Sequence, residues 1–121
     1  MTDSVTATCH CGNIKITLPY ISRTLTKCNC SICSRYASMW GYFAPEKVKV
    51  EFEQVPVKYQ WGPKYSNYCH CPTCGCLTHY TPTEISPRQK VVVNFNMIDE
   101  RLWQESRIRH FDGRDTMEYL D

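Results

Sequence analysis

Seven of the nine cysteines in this chain fall into three short groups whose spacing is that of metal ligands. Cys71-Pro72-Thr73-Cys74-Gly75 is a Cys-x-x-Cys knuckle. Such a turn brings two thiolates onto one tetrahedral ion at about 2.3 Å, and a glycine after the second cysteine tolerates the positive φ these turns often need. A closed zinc site needs four ligands, and Cys9-His10-Cys11-Gly12 offers the complementary pair. Cys9, Cys11, Cys71 and Cys74 are therefore expected to share one structural zinc that ties the first strand to the middle of the chain. A thioredoxin-like redox role for the knuckle is the alternative, but the βαβ pattern that goes with it is missing.

The third group, Cys28-Asn29-Cys30-Ser31-Ile32-Cys33, places three thiols within six residues. Three protein ligands leave the fourth position of a zinc ion free for water or a substrate thiolate, which is how catalytic zinc differs from structural zinc. Cys28, Cys30 and Cys33 are thus candidate catalytic ligands. The alternative is closure of this site by a fourth cysteine, Cys69 or Cys76, two thiols that otherwise read as small buried apolar groups. None of His10, His70, His79 and His110 is assigned to metal. Arg35 is either an anchor for a substrate carboxylate or a solvated surface arginine. The aromatic residues Trp40, Tyr42, Phe43, Tyr59 and Trp61 could wall a small pocket, although core packing accounts for most of them.

The elements that must hold these groups read mainly as β. Apolar and polar residues alternate over 13–18, 47–52 and 57–61, and 77–80 is a further short strand. The denser β-branched run 91–95 is expected centrally, covered on both faces. Helical signals are confined to a turn over Ser31 to Tyr36 and a brief turn capped by Asp99 that runs through Leu102 and Trp103. A chain of 121 residues with 42% hydrophobic content fits one small domain over 1–121. Its 14 basic and 12 acidic residues leave a net charge of +2, which is no footprint for nucleic acid. No apolar run approaches the length needed to span a membrane, and the first twenty residues lack the features of a secretory or transit signal. A cytoplasmic location is the expectation. The odd cysteine count and the close Cys-x-Cys pairs favour thiolates on metal over disulfides.

In this order, the three cysteine motifs resemble those of the glutathione-dependent formaldehyde-activating enzyme family, which includes centromere protein V. The likeness runs from about Thr6 to Asp99, with 100–121 as a C-terminal extension, and Arg109-His110-Phe111-Asp112-Gly113 resembles the tail of some short bacterial members. It implies a β-tent fold of short antiparallel sheets stapled by zinc, with two ions. One is structural, on Cys9, Cys11, Cys71 and Cys74; the other is catalytic, on Cys28, Cys30 and Cys33. The implied reaction is carbon-sulfur lyase chemistry that joins glutathione or a similar thiol to formaldehyde or another small aldehyde as an S-hydroxymethyl adduct. The implied partners are therefore a small-molecule thiol and an aldehyde, with neither nucleic acid nor membrane. Where the family usually has Arg-Arg after the third cysteine and then a glycine, this chain has Ser34-Arg35 and Tyr36-Ala37-Ser38. The competing function is a non-catalytic, zinc-stabilised interaction module.

Overall fold

The computed structural model describes residues 4–121. Its strands are β1 (Val5–Thr8), β2 (Ile14–Leu18), β3 (Thr24–Cys28), β4 (Trp40–Phe43), β5 (Lys49–Phe52), β6 (Val57–Tyr59), β7 (Ser66–His70), β8 (Leu77–Pro82), β9 (Val91–Asn94), β10 (Arg107–Asp112) and β11 (Glu118–Tyr119). One helix, α1 (Ser31–Tyr36), lies between β3 and β4. β1, β2 and β5 form a three-stranded sheet, and the other strands form an eight-stranded sheet in the order β11-β10-β3-β4-β9-β8-β7-β6. The chain is mainly β, as its alternating pattern predicts. Among the described residues, no helix is long and apolar enough to cross a membrane.

Alternation sets the small sheet. Ile14, Ile16 and Leu18 are buried while Lys15 is exposed, so β2 turns one apolar face inward. That face meets Ala7 of β1, Leu25, Phe43, Val91 and Val93 of the large sheet, and Phe95 just after β9. Val92, between Val91 and Val93, points the other way into a second cluster with Trp40, Tyr68, Leu77, Ile32 and Cys33. β9 is thus the partition between two cores, which is why its sequence is apolar at successive positions rather than alternate ones. The rings of Phe43 and Phe95 stack with centroids 6.2 Å apart. They can do so because residue 41 is glycine; a Cβ there would strike the Phe95 ring. Asn94 joins the strands at this point, its Nδ2 donating to the Leu77 carbonyl at 2.9 Å and its Oδ1 accepting from the Met39 N–H at 3.2 Å.

Three features depart from the sequence reading. All strand pairs in the two sheets are antiparallel except β3 with β10, which run parallel, with Thr24 opposite Arg107 and Cys28 opposite Phe111. Parallel neighbours need a long crossover, and here most of the chain supplies it. Residues 100–121, read as an extension, contribute β10 and β11 to the large sheet. The strand expected from Lys47 begins at Lys49, because Pro45 opens a 3-10 turn over Pro45–Lys47. The two helical turns form where expected, α1 after Cys30 and a 3-10 turn over Glu100–Leu102, whose N-cap Asp99 accepts from the Arg101 N–H at 3.0 Å.

Candidate metal centres and their cavity

The first cysteine group is assembled by two loops that approach from distant parts of the chain. Gly12 (φ +86°) and Gly75 (φ +81°) take the left-handed turns that fold each pair of thiols back on itself. The Gly12 N–H donates to the Cys9 carbonyl at 3.1 Å and the Gly75 N–H to the Cys71 carbonyl at 3.0 Å. As a result, the sulfurs of Cys9, Cys11, Cys71 and Cys74 lie within 4.8 Å of one another. The Cys9 to Cys11 separation is 3.8 Å and the Cys11 to Cys71 separation 3.5 Å. Four sulfurs bound tetrahedrally at about 2.3 Å are about 3.8 Å apart, so the set fits an ion such as zinc.

N–H groups converge on these sulfurs as they would on thiolates. Ile14 N–H donates to Cys9 Sγ at 3.2 Å, Thr73 N–H to Cys71 Sγ at 3.4 Å and Cys74 N–H to Cys71 Sγ at 3.5 Å. The Cys74 thiol is held down at about 5, first by the backbone N–H of Cys76 and then by that of Cys11. Donors aimed at sulfur stabilise its charged form.

The second group sits at the end of β3 and the start of α1. Cys30 caps the helix, its Sγ accepting from the Cys33 N–H at 3.5 Å, and the Cys30 N–H donates to Cys28 Sγ at 3.4 Å. The buried Trp40 indole donates to Cys33 Sγ at 3.3 Å. The three sulfurs lie within 4.8 Å of one another, and neither Cys69 nor Cys76 belongs to the group. Their contact splits the thiols: the Cys33 side chain draws Cys28 down to about 6, while Cys33 is pushed up by that contact and by burial. A three-thiol set with N–H donors on each sulfur suits a metal ion with one coordination position left for another ligand.

The C-terminal turn clamps this loop from outside. Asn29, between the first two cysteines, donates through Nδ2 to Asp112 Oδ1 at 3.0 Å and accepts from the Arg114 N–H at 3.0 Å. The buried Asp112 carboxylate also accepts from Thr116 Oγ1 at 3.0 Å, and the Asn29 amide leads the groups that keep its acidity below the usual carboxylate range. Gly113 then passes so close that a Cβ on it would lie 2.7 Å from Cys28 Sγ.

The three thiols line a cavity of about 480 Å³ on the second-cluster face of the large sheet. Trp40, Tyr42, Trp61, Tyr65, Tyr68 and Tyr80 supply most of its aromatic wall. Of the aromatic residues singled out from sequence, Trp40, Tyr42 and Trp61 line the cavity, Phe43 packs in the opposite core and Tyr59 lies at the surface. Arg35 is exposed, bonds the Ser31 carbonyl of its own helix at 2.8 Å and does not line the cavity, as expected of a solvated arginine. None of the four histidines joins either thiol group. Sequence reasoning missed Tyr65, Tyr68, Tyr80, Arg88, Lys90 and Gly113 of the lining. The closely spaced Pro82 and Pro87 marked the loop that brings Arg88 and Lys90 to the cavity, and the tail motif marked Gly113.

The fold has a counterpart among solved structures. A crystal structure of a Rhodobacter sphaeroides protein superposes with a TM-score of 0.69 at 24% identity, covering 85% of this chain and 98% of that one. No curated protein matches the sequence. The family model described as glutathione-dependent formaldehyde-activating enzyme matches residues 4–112, from the strand before the first thiol pair to the carboxylate that clamps the three-cysteine loop. The chain belongs to that family.

Proposed function

We propose that the chain is a zinc-dependent enzyme of the carbon-sulfur lyase type, joining glutathione or a similar thiol to formaldehyde or another small aldehyde. The observation that carries this reading is the set of three thiols within 4.8 Å lining an aromatic cavity, with no fourth Cys, His, Asp or Glu in the group among the described residues. An interaction module needs no such cavity beside its metal ligands. Membership of a formaldehyde-activating family supports the substrate class. Zinc, when bound, supplies a Lewis acid that lowers the pKa of a thiol entering its open position.

The residues divide the work. Cys28, Cys30 and Cys33 hold the catalytic ion; Cys9, Cys11, Cys71 and Cys74 hold a structural one. Asp112 and Asn29 fix the loop, while the aromatic walls give the reacting groups a largely apolar surround. In the addition, the thiolate sulfur attacks the carbonyl carbon. The S–C bond forms, the C=O π bond breaks, and the oxygen takes up one proton to give the S-hydroxymethyl adduct.

The test is Cys30→Ser, assayed for adduct formation against the uncatalysed reaction, which is itself appreciable. A folded variant that has lost the rate enhancement is the expected result. A folded variant with wild-type enhancement would refute the assignment.

A further inference from the structure

The cavity has a chemical character that the thiol group alone does not explain. Its lining includes six tyrosine and tryptophan side chains, yet among the described lining residues there is no aspartate or glutamate. Its ionised side chains other than thiols are Arg88 and Lys90. Both are exposed, and neither makes an ion pair among the described residues.

The loop that presents these two cations is built rather than slack. Ser86 Oγ donates to the Arg88 carbonyl at 2.9 Å and accepts from the Arg88 N–H at 3.2 Å. Gln89 Nε2 donates to the Thr83 and Ser86 carbonyls at 3.1 and 3.0 Å. Pro82 and Pro87 stiffen it from within and also line the cavity. Burial raises the pKa of the Tyr42 phenol in the same lining, and the Arg88 charge acts against that shift. Two unpaired cations on an ordered loop beside aromatic walls form a site for a ligand with a flat apolar body and an anionic end.

From this arrangement we infer that the thiol accepted here carries an aromatic or similarly flat apolar body and a carboxylate. The ring lies against the Trp and Tyr walls and the carboxylate against Arg88 and Lys90. This rests on the reading of the three-cysteine loop as a thiol-binding centre, but it concerns the part of the ligand remote from sulfur. A peptide thiol such as glutathione offers the carboxylates without the ring and adds an ammonium group beside two cations. Ring stacking and a charge-assisted hydrogen bond together decide the preference.

The test is calorimetric titration of the zinc-loaded protein with 3-mercaptobenzoate, its neutral amide 3-mercaptobenzamide, the ring-free 3-mercaptopropionate, glutathione and the thiol-free 3-methylbenzoate. The acid is expected to bind about tenfold more tightly than the amide, and than either ring-free thiol. In Arg88→Gln/Lys90→Gln the ratio of acid to amide should fall to about one, with the amide unchanged. An amide as tight as the acid, a ratio that survives in the double variant, or glutathione as the tightest ligand would each overturn the inference. If 3-methylbenzoate follows the same pattern as tightly as 3-mercaptobenzoate, the ring-and-carboxylate site stands and the thiol-binding reading falls instead.

Discussion

The indole N–H of Trp40 donates to the sulfur of Cys33 across 3.3 Å, joining the start of β4 to the last thiol of the three-cysteine loop inside a buried core. The donor is fixed by its packing: Trp40 is 1% exposed and meets Tyr80 edge-on with centroids 4.8 Å apart. A hydrogen bond to a metal ligand orients it and stabilises its charge, so the indole would tune an ion that it does not itself ligate. Trp40→Phe keeps an aromatic ring but removes the donor. Metal affinity at Cys28, Cys30 and Cys33 should fall about tenfold while the other thiol group is unaffected. Competitive chelation that resolves two release phases checks this; a shift in both phases would point to general loosening.

The four-thiol group should act on the whole fold. Cys71 is 1% exposed and its sulfur accepts from Thr73 and Cys74 N–H groups. Cys71→Ser should lower the melting temperature by about 10 °C or more and remove at least one zinc per chain, since metal binding in a small domain is folding free energy. Cys69→Ala is the contrast. Cys69 is as buried but belongs to neither thiol group, so its loss should cost about 1 kcal/mol and leave the metal content unchanged.

Ala37 ends α1 in a left-handed conformation, φ +52° and ψ +38°, the region that favours glycine. Its carbonyl is held there by Asn96 Nδ2 at 2.9 Å. An alanine in this region costs about 1 kcal/mol relative to glycine. Ala37→Gly should therefore raise stability by about 0.5–1 kcal/mol, against the usual trend for alanine to glycine changes. A lower urea midpoint in the variant would remove the case for strain at this cap.

His79 gives the fold a pH dependence of its own. It is 3% exposed, with Nδ1 2.8 Å from Thr78 Oγ1, and burial, aided by the Lys58 charge, lowers its pKa from 6.5 to about 4. The unfolded chain therefore takes up the proton first. Stability from this group is complete above about 6.5 and declines as the pH falls toward 4, by up to about 3 kcal/mol. Thiolate protonation acts in the same range, so the measurement is the difference in unfolding free energy between wild type and His79→Gln at pH 7, 6, 5 and 4.5. The difference should narrow as the pH falls; a constant difference would show that His79 does not titrate in this window.

The parts of this fold that could be read from sequence are those whose inward residues are aliphatic. β2 and β9 announce themselves through Ile14, Ile16, Leu18 and the three valines, and the thiol groups through spacing alone. β3, β4, β7 and β10 went unread because their second-cluster faces carry Thr26, Cys28, Trp40, Tyr42, Tyr68 and Phe111, a mixture of polar and aromatic residues without the usual contrast. That is the face on which the cavity lies, so the departure from a simple hydrophobic pattern and the site share one cause. Arg88 and Lys90 were invisible for a different reason. Their importance depends on the absence of carboxylates across the cavity, a relation between distant segments that no local pattern contains.

The parallel pairing of β3 with β10 bears on how the protein matures as it is made. Everything that gathers the four-thiol group has been synthesised once residue 76 has emerged. The three-cysteine loop, by contrast, waits for Asp112 and Gly113, some eighty residues downstream of Cys28. Domains form from the N-terminus as synthesis proceeds, and distant pairings come late. A nascent chain can therefore gather its four-thiol group while the three-cysteine loop is still unclamped, and that loop is fixed only as the last segment docks. A chain that stops short of β10 would leave the ribosome with its four thiols gathered yet unable to seat the three-cysteine loop.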